Sequence, residues 1–231
     1  VGSAHQLRLL DVRPIPELGE HEALQGQLED LEVARAACRE IDVVLHLAAN
    51  ASQHASFDAL LHNNYIATHN IFTAAHEAGC RRVIFASSVH TIRGLPPERR
   101  FITEQELCPG NLYGVSKAYG ENLANYFAHV HSLSGICFRF GLVAPTFAFL
   151  RATDDWERSA FLSARDLCRL LDLALTTEAH FAVLNATSNN ADNLLDLSRT
   201  RAVLGYAPQD SLEAALEEGN REQGTGMSWE L

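Results

Sequence analysis

The chain has 231 residues, 47% of them apolar and 20% charged, with a formal net charge of −11. This length can bury a full core and the composition is that of a soluble globular protein, while the acidic balance excludes nucleic acid or an anionic membrane surface as partner. No apolar run approaches the roughly 18 residues of a membrane span, and no signal-peptide pattern opens the chain.

In chain order, Leu7–Val12 reads as a short buried strand ending at Asp11 and followed by the turn Arg13-Pro14-Ile15-Pro16. Leu28–Glu40 has helical periodicity, and Ile41–Leu47 is a β-branched strand running into Ala48-Ala49. Asn64–Ala78 predicts a helix with Gly79 as its C-cap. Arg82–Ala86 predicts a strand reaching Ser87-Ser88, Tyr113–Ala128 a long helix, and Gly135–Phe140 another strand. Beyond Gly141 come a helix over Ala164–Leu175, a strand over Phe181–Ala186 and a helix over Leu195–Leu204, then a capped helix start at Ser211. Strands alternating with helices predict a parallel sheet covered on both faces. Ligands then bind outside the carboxyl ends of the strands, where Asp11, Ala48-Ala49 and Ser87-Ser88 fall. Residues 1–141 form the main α/β domain in this reading, 142–219 a small lobe interleaved with it on the substrate side, and 220–231 a polar tail.

Cys38, Cys80, Cys108, Cys137 and Cys168 are scattered and odd in number. They fit reduced thiols in a cytoplasmic protein rather than a disulfide frame or zinc site, and the histidines show no ligand spacing, so no metal is expected. Lys117 is the single lysine among 18 basic residues. It follows Tyr113 by four positions, so on a helix the ammonium reaches the same pocket as the phenol. A nearby cation favours phenolate, which would pull the tyrosine down from its usual value of about 10 and suit it to acid/base work. A chance Y-x-x-x-K on a solvated helix is the bland alternative.

In order and spacing, Asp11, His46-Leu47-Ala48-Ala49, Asn64, Ala86-Ser87-Ser88, Tyr113/Lys117 and Leu204-Gly205-Tyr206-Ala207-Pro208 resemble the extended short-chain dehydrogenase/reductase (NAD-dependent epimerase/dehydratase) family. The resemblance covers essentially the whole chain. Within the family, Phe85-Ala86-Ser87-Ser88 with His90-Thr91-Ile92, Asn111–Lys117 and Arg139-Phe140-Gly141 are similar to the uronate dehydrogenases. The resemblance implies a Rossmann-like doubly wound sheet, NAD as cofactor, and oxidation of a cyclic hexuronate at C1 to an aldarolactone. Tyr113 would be the acid/base, with Lys117 lowering its pKa and bonding the nicotinamide ribose. Ser88 would bond the reacting oxygen, or merely end a strand. Asp11 would accept the adenosine ribose hydroxyls, or form the turn before Arg13. Asp30 and Leu31 would sit near adenine, although an acidic residue there also caps a helix. Leu47, Ala48 and Ala49 would line the cofactor, the alanines serving otherwise as small packing residues. Ser52, His90 and Arg151 are the substrate-side candidates, Arg151 for the carboxylate; a structural histidine and a surface arginine suit the last two equally. Asn64 would brace the site without touching substrate. The resemblance also implies a homo-oligomer paired through the Tyr113 helix.

Three features depart from that pattern. The opening strand, Gly-x-x-Gly-x-x-Gly loop and helix do not occur, which predicts a sheet lacking its first strand–helix unit. That describes either an N-terminal truncation of a longer protein or a degenerate member that binds dinucleotide poorly. Val89 and Leu142 stand where uronate dehydrogenases carry asparagine and serine, removing polar groups from the sugar pocket. Another sugar or nucleotide-sugar dehydrogenase or epimerase, and a non-catalytic dinucleotide-sensing protein on the same scaffold, are the alternative functions.

Overall fold

The computed structural model describes residues 5–16, 19–144, 149–150 and 153–225, the last six by backbone alone. Its six strands all pair in parallel. Strand β1 (Arg8–Asp11) pairs with β2 (Glu22–Gln25), and β3 (Val43–His46), β4 (Arg82–Ser88), β5 (Ser134–Phe140) and β6 (Phe181–Ala186) form a second sheet in that order. Parallel neighbours need crossovers. Helix α1 (Leu31–Cys38) joins β2 to β3; α2 (Phe57–Leu60) and α3 (Ala67–Glu77) lead to β4; α4 (Leu112–His131) leads to β5; α5 (Asp155–Arg158) and α6 (Ala164–Thr176) lead to β6. Helices α7 (Ser198–Leu204) and α8 (Leu212–Thr225) follow. Among the described residues no helix is long and apolar enough to cross a membrane.

The period-2 alternation of the strands sorts the core into two layers. Val83, Phe85 and Cys137 face α1, α3 and α4, packing with Ala34, Phe72, Ala75 and Phe127. Ile84, Ile136 and Phe138 face the other way, against Leu170 and Ala174 of α6 and Leu204 of α7. Both faces are therefore covered, and β4 is buried along its whole length. The doubly wound α/β architecture holds. Its sheet is nevertheless in two parts, with β1 and β3 both edge strands and, among the described residues, no strand between them.

Strand β6, within 142–219, extends the larger sheet beside β5. A third cluster (Val89, Ile92, Ile102, Trp156, Ala160, Leu194 and Leu195) forms beyond the carboxyl end of β4. Helix α8 runs to Thr225, past the boundary at 220 expected for a polar tail; residues 226–231 lie outside the described residues.

Three elements differ from the sequence expectation. Strand β2 had no apolar signal because three of its four residues are exposed. The helix expected from Asn64 starts at Phe57, where Ser56 Oγ accepts from Ala59 N at 3.3 Å, and it passes through a π-turn over Leu61–Ile66 before α3. The helix expected from Leu195 starts at Ser198, because Leu195 bridges to Ile102 and Asp196 Oδ1 accepts from Ser198 N at 2.8 Å.

Candidate active site

Helix α4 is fixed at its first turn. Asn111 is its N-cap, with Oδ1 accepting from Gly114 N at 2.8 Å. A Cβ added at Gly114 would meet the His90 carbonyl oxygen at 2.2 Å, so only glycine lets this turn abut the 3₁₀ turn Val89–Ile92 that follows β4. Ser116 Oγ donates to the Tyr113 carbonyl at 2.7 Å. Asn64, turned inward by the π-turn, donates to Ser116 Oγ at 2.9 Å and to Asn50 O at 3.1 Å, and accepts from Asn50 N at 2.8 Å. The brace expected of Asn64 thus acts through Ser116 on the backbone of Tyr113. Single π-turns inside α-helices are frequent at functional sites.

A second brace lies deeper. Arg139 on β5 forms a bidentate pair with Glu121 on α4 at 2.8 and 2.9 Å, with both side chains less than 10% exposed. Ser87 Oγ donates to the same carboxylate at 2.5 Å, and Arg139 Nη1 donates to Glu106 O at 2.7 Å. This pair ties α4 to β4, β5 and the loop before α4.

On this frame Ser88, Tyr113 and Lys117 come together, all buried. Burial raises the Tyr113 phenol above its ordinary range, and the neighbouring Ser88 works against that rise. The expectation that Lys117 pulls Tyr113 down is therefore not met: desolvation dominates, and the opposing influence is that of Ser88. Lys117 itself is 4% exposed, and burial lowers it to about 8. Its Nζ lies 5.0 Å from the Phe85 ring centre and 5.6 Å from that of Tyr113. No hydrogen-bond acceptor reaches it among the described residues. A buried ammonium with its donors unused fits a hydroxyl-bearing ligand such as a ribose.

Of the substrate-side candidates, His90 packs beside Tyr113. Its ring meets Tyr113 edge-on at 5.4 Å, Asn111 Nδ2 is 2.9 Å from Nδ1, and Glu157 is 3.9 Å from Nε2. Burial and then the Arg93 cation lower His90, while burial and then Asp154 raise Glu157. Val89 is buried, and Leu142 is engaged through its backbone with Ala160 and Leu162. Ser52 is exposed on the loop after β3, its Oγ accepting from His54 N at 3.3 Å. Arg151 lies outside the described residues. Sequence reasoning assigned no role to Asn50, Asn111, Ser116, Glu121 or Glu157. Of these only Asn111 had a usable signal, a capping residue just before a helix.

The cofactor-side candidates stand at strand ends in water. Asp11 closes β1, exposed, with Oδ1 accepting from Arg13 N at 2.8 Å and 4.0 Å from Arg13 Nε. Asp30 is the N-cap of α1, accepting from Glu32 N at 2.9 Å, so its capping role is realised, and Leu31 beside it is half-buried. Past β3, Leu47 and Ala48 are exposed and Ala49 half-buried. Among the described residues no cluster of three or more His, Cys, Asp or Glu side chains could hold a metal ion.

Residues 3–149 match the model of the NAD dependent epimerase/dehydratase family. The chain is 32% identical to a uronate dehydrogenase of Pseudomonas putida, over 92% of this chain and 78% of that protein. It is 30% identical to an NAD-dependent glucose-6-phosphate dehydrogenase of Haloferax volcanii, over 91% and 87%. Its fold superposes on a crystal structure of uronate dehydrogenase from Agrobacterium tumefaciens complexed with NAD, with a TM-score of 0.82 and 28% identity, covering 94% of this chain and 80% of that one.

Proposed function

Because the chain belongs to the NAD dependent epimerase/dehydratase family, we propose that it oxidises the C1 hydroxyl of a cyclic hexuronate, galacturonate or glucuronate, to the aldarolactone. NAD, when bound, accepts the hydride from C1. The observation that carries this reading is the joint burial of Ser88, Tyr113 and Lys117, with Lys117 one helical turn further along α4 and its Nζ 5.6 Å from the Tyr113 ring centre. Similarity to uronate dehydrogenases supports the choice of sugar acid.

In this mechanism Tyr113 takes the proton of the C1 hydroxyl as the C1–H electron pair departs and the C1–O bond becomes a lactone carbonyl. Ser88 donates a hydrogen bond to that oxygen. The Lys117 ammonium stabilises the phenolate that Tyr113 must present and reaches the ribose hydroxyls with its unused donors. Asp11 accepts the hydroxyls of the second ribose. Asp30 and Leu31 border the adenine, and Leu47, Ala48 and Ala49 line the dinucleotide. Ser52 and His90 contact the sugar, and Arg151 pairs with the substrate carboxylate through its planar fork. The apolar Val89 and Leu142, with the Glu157 carboxylate beside His90, favour a second substrate class: an aldose without the uronate carboxylate, also oxidised at C1.

The test is NADH formation from NAD with galacturonate, glucuronate and neutral aldoses, with Tyr113→Phe as control. A uronate-dependent rate that falls by about 10²–10⁴-fold in the control is expected. NADH formation only with neutral aldoses would move the assignment to the second class. A rate that survives in Tyr113→Phe would remove Tyr113 from its role.

A further inference from the structure

Lys117 is 4% exposed and, among the described residues, no hydrogen-bond acceptor reaches its ammonium, a placement that costs free energy unless something else stabilises the charge. The nearest candidate is the ring of Phe85, which is itself 1% exposed. Nζ stands 5.0 Å from its centre, inside the range of about 6 Å over which a ring quadrupole attracts an ammonium. The ring is clamped on several sides. A Cβ at Gly120 would meet its Cζ at 2.2 Å, so α4 packs directly on its edge. Phe72 of α3 and His46 of β3 lie 6.3 and 5.9 Å away between ring centres.

We propose that Phe85 is a positioning residue whose aromatic face holds the Lys117 ammonium charged and in place beside Tyr113 until a ribose takes up its donors. The inference rests on the dehydrogenase reading for its purpose but not for its physics. The titratable neighbours are compatible with it. His46, fully buried with Nε2 3.2 Å from Thr68 Oγ1, is pulled down to about 3 by burial and by Lys117, so the two never compete as cations near neutral pH. Tyr113 is held protonated by burial, and Glu121, one turn along α4, is occupied by Arg139 and Ser87. Two ring faces lie within reach of the charge, Phe85 at 5.0 Å and Tyr113 at 5.6 Å, and Phe85 is the nearer.

The chain's composition supplies a direct readout. Lys117 is its only lysine, so protein grown on lysine labelled at the ε-carbon gives one side-chain amine signal in NMR. That signal is titrated in cofactor-free protein carrying phenylalanine, 3,5-difluorophenylalanine or 3,4,5-trifluorophenylalanine at position 85. Fluorination drains the ring face while nearly preserving its shape, so the fold is retained. The expected result is a midpoint that moves stepwise to lower pH with each substitution, by up to about tenfold in proton affinity. An unchanged midpoint across the series would overturn the proposal and leave Phe85 as core filling. Because no turnover is read, failure of the dehydrogenase assignment would leave this result standing, and the reverse also holds.

Discussion

On the catalytic flank of the crevice, Ser88, Tyr113 and Lys117 are buried and braced through Asn64–Ser116 and Glu121–Arg139. On the cofactor flank, Asp11, Asp30, Leu47 and Ala48 face water, and β1 and β2 form a two-stranded sheet of their own. The flank with the proposed catalytic residues is buried, and hydrogen bonds brace the helix that carries Tyr113 and Lys117 before any ligand arrives. The other is exposed, Asp11 and Asp30 each accepting only a local backbone hydrogen bond. Groups that must keep a reactive geometry within fractions of an ångström need several independent restraints. Groups that grip a large ligand by ribose and base can be ordered by the ligand itself, from the less stable end of the molecule.

If that contrast is real, mutations should rank accordingly. Glu121→Gln leaves the Arg139 guanidinium buried without its counter-charge and is expected to cost about 3–5 kcal/mol in urea unfolding. A loss below about 1 kcal/mol would mean that the pair is wet and the catalytic flank softer than described. Next comes acid. The folded value of His46 is about 3, below the roughly 6.5 of an unfolded histidine, so as pH falls the unfolded chain takes up this proton first. Stability from this group is full above about 6.5 and declines down to about 3, amounting to about 2 kcal/mol lost at pH 5. His46→Phe should remove that slope from the pH dependence of urea midpoints; an unaltered slope would assign it to other groups. The smallest effect belongs to the cofactor flank. Asp30→Ala removes the α1 cap and should cost about 1 kcal/mol. A cost equal to that of Glu121→Gln would erase the distinction between the flanks.

The parts of this site that were legible in the sequence are those written in local spacing. Tyr113 and Lys117 are one helical turn apart. Ser88 ends a strand whose run Val83–Ala86 is apolar, and Gly79 adopts a φ of +74° where a helix had to stop. The illegible parts depend on partners far along the chain. No local spacing joins Arg139 to Glu121 until α4 is laid across β4 and β5. Asn64 and Ser116 are 52 positions apart and meet only after α4 docks. Strand β2 was hidden because exposed residues carry no alternation. The reversal at Tyr113 has the same origin, since i, i+4 spacing shows the cation but not the depth of burial that raises the phenol.

The π-turn at Leu61–Ile66 adds a matter of phase. Such a turn holds one residue more than the α-helical turns on either side. Deleting a single residue within it would let Phe57–Glu77 run as one regular helix, turning everything before the deletion by about 100° relative to α3. The tilted ring contacts of Phe57 with Tyr65 and of Tyr65 with Tyr119 would go out of register, and Asn64 would swing away from Ser116. The setting of Tyr113 is thus encoded partly in the count of residues between Ser56 and Ala67, and a frame-preserving deletion there would disturb it without altering any side chain that touches it.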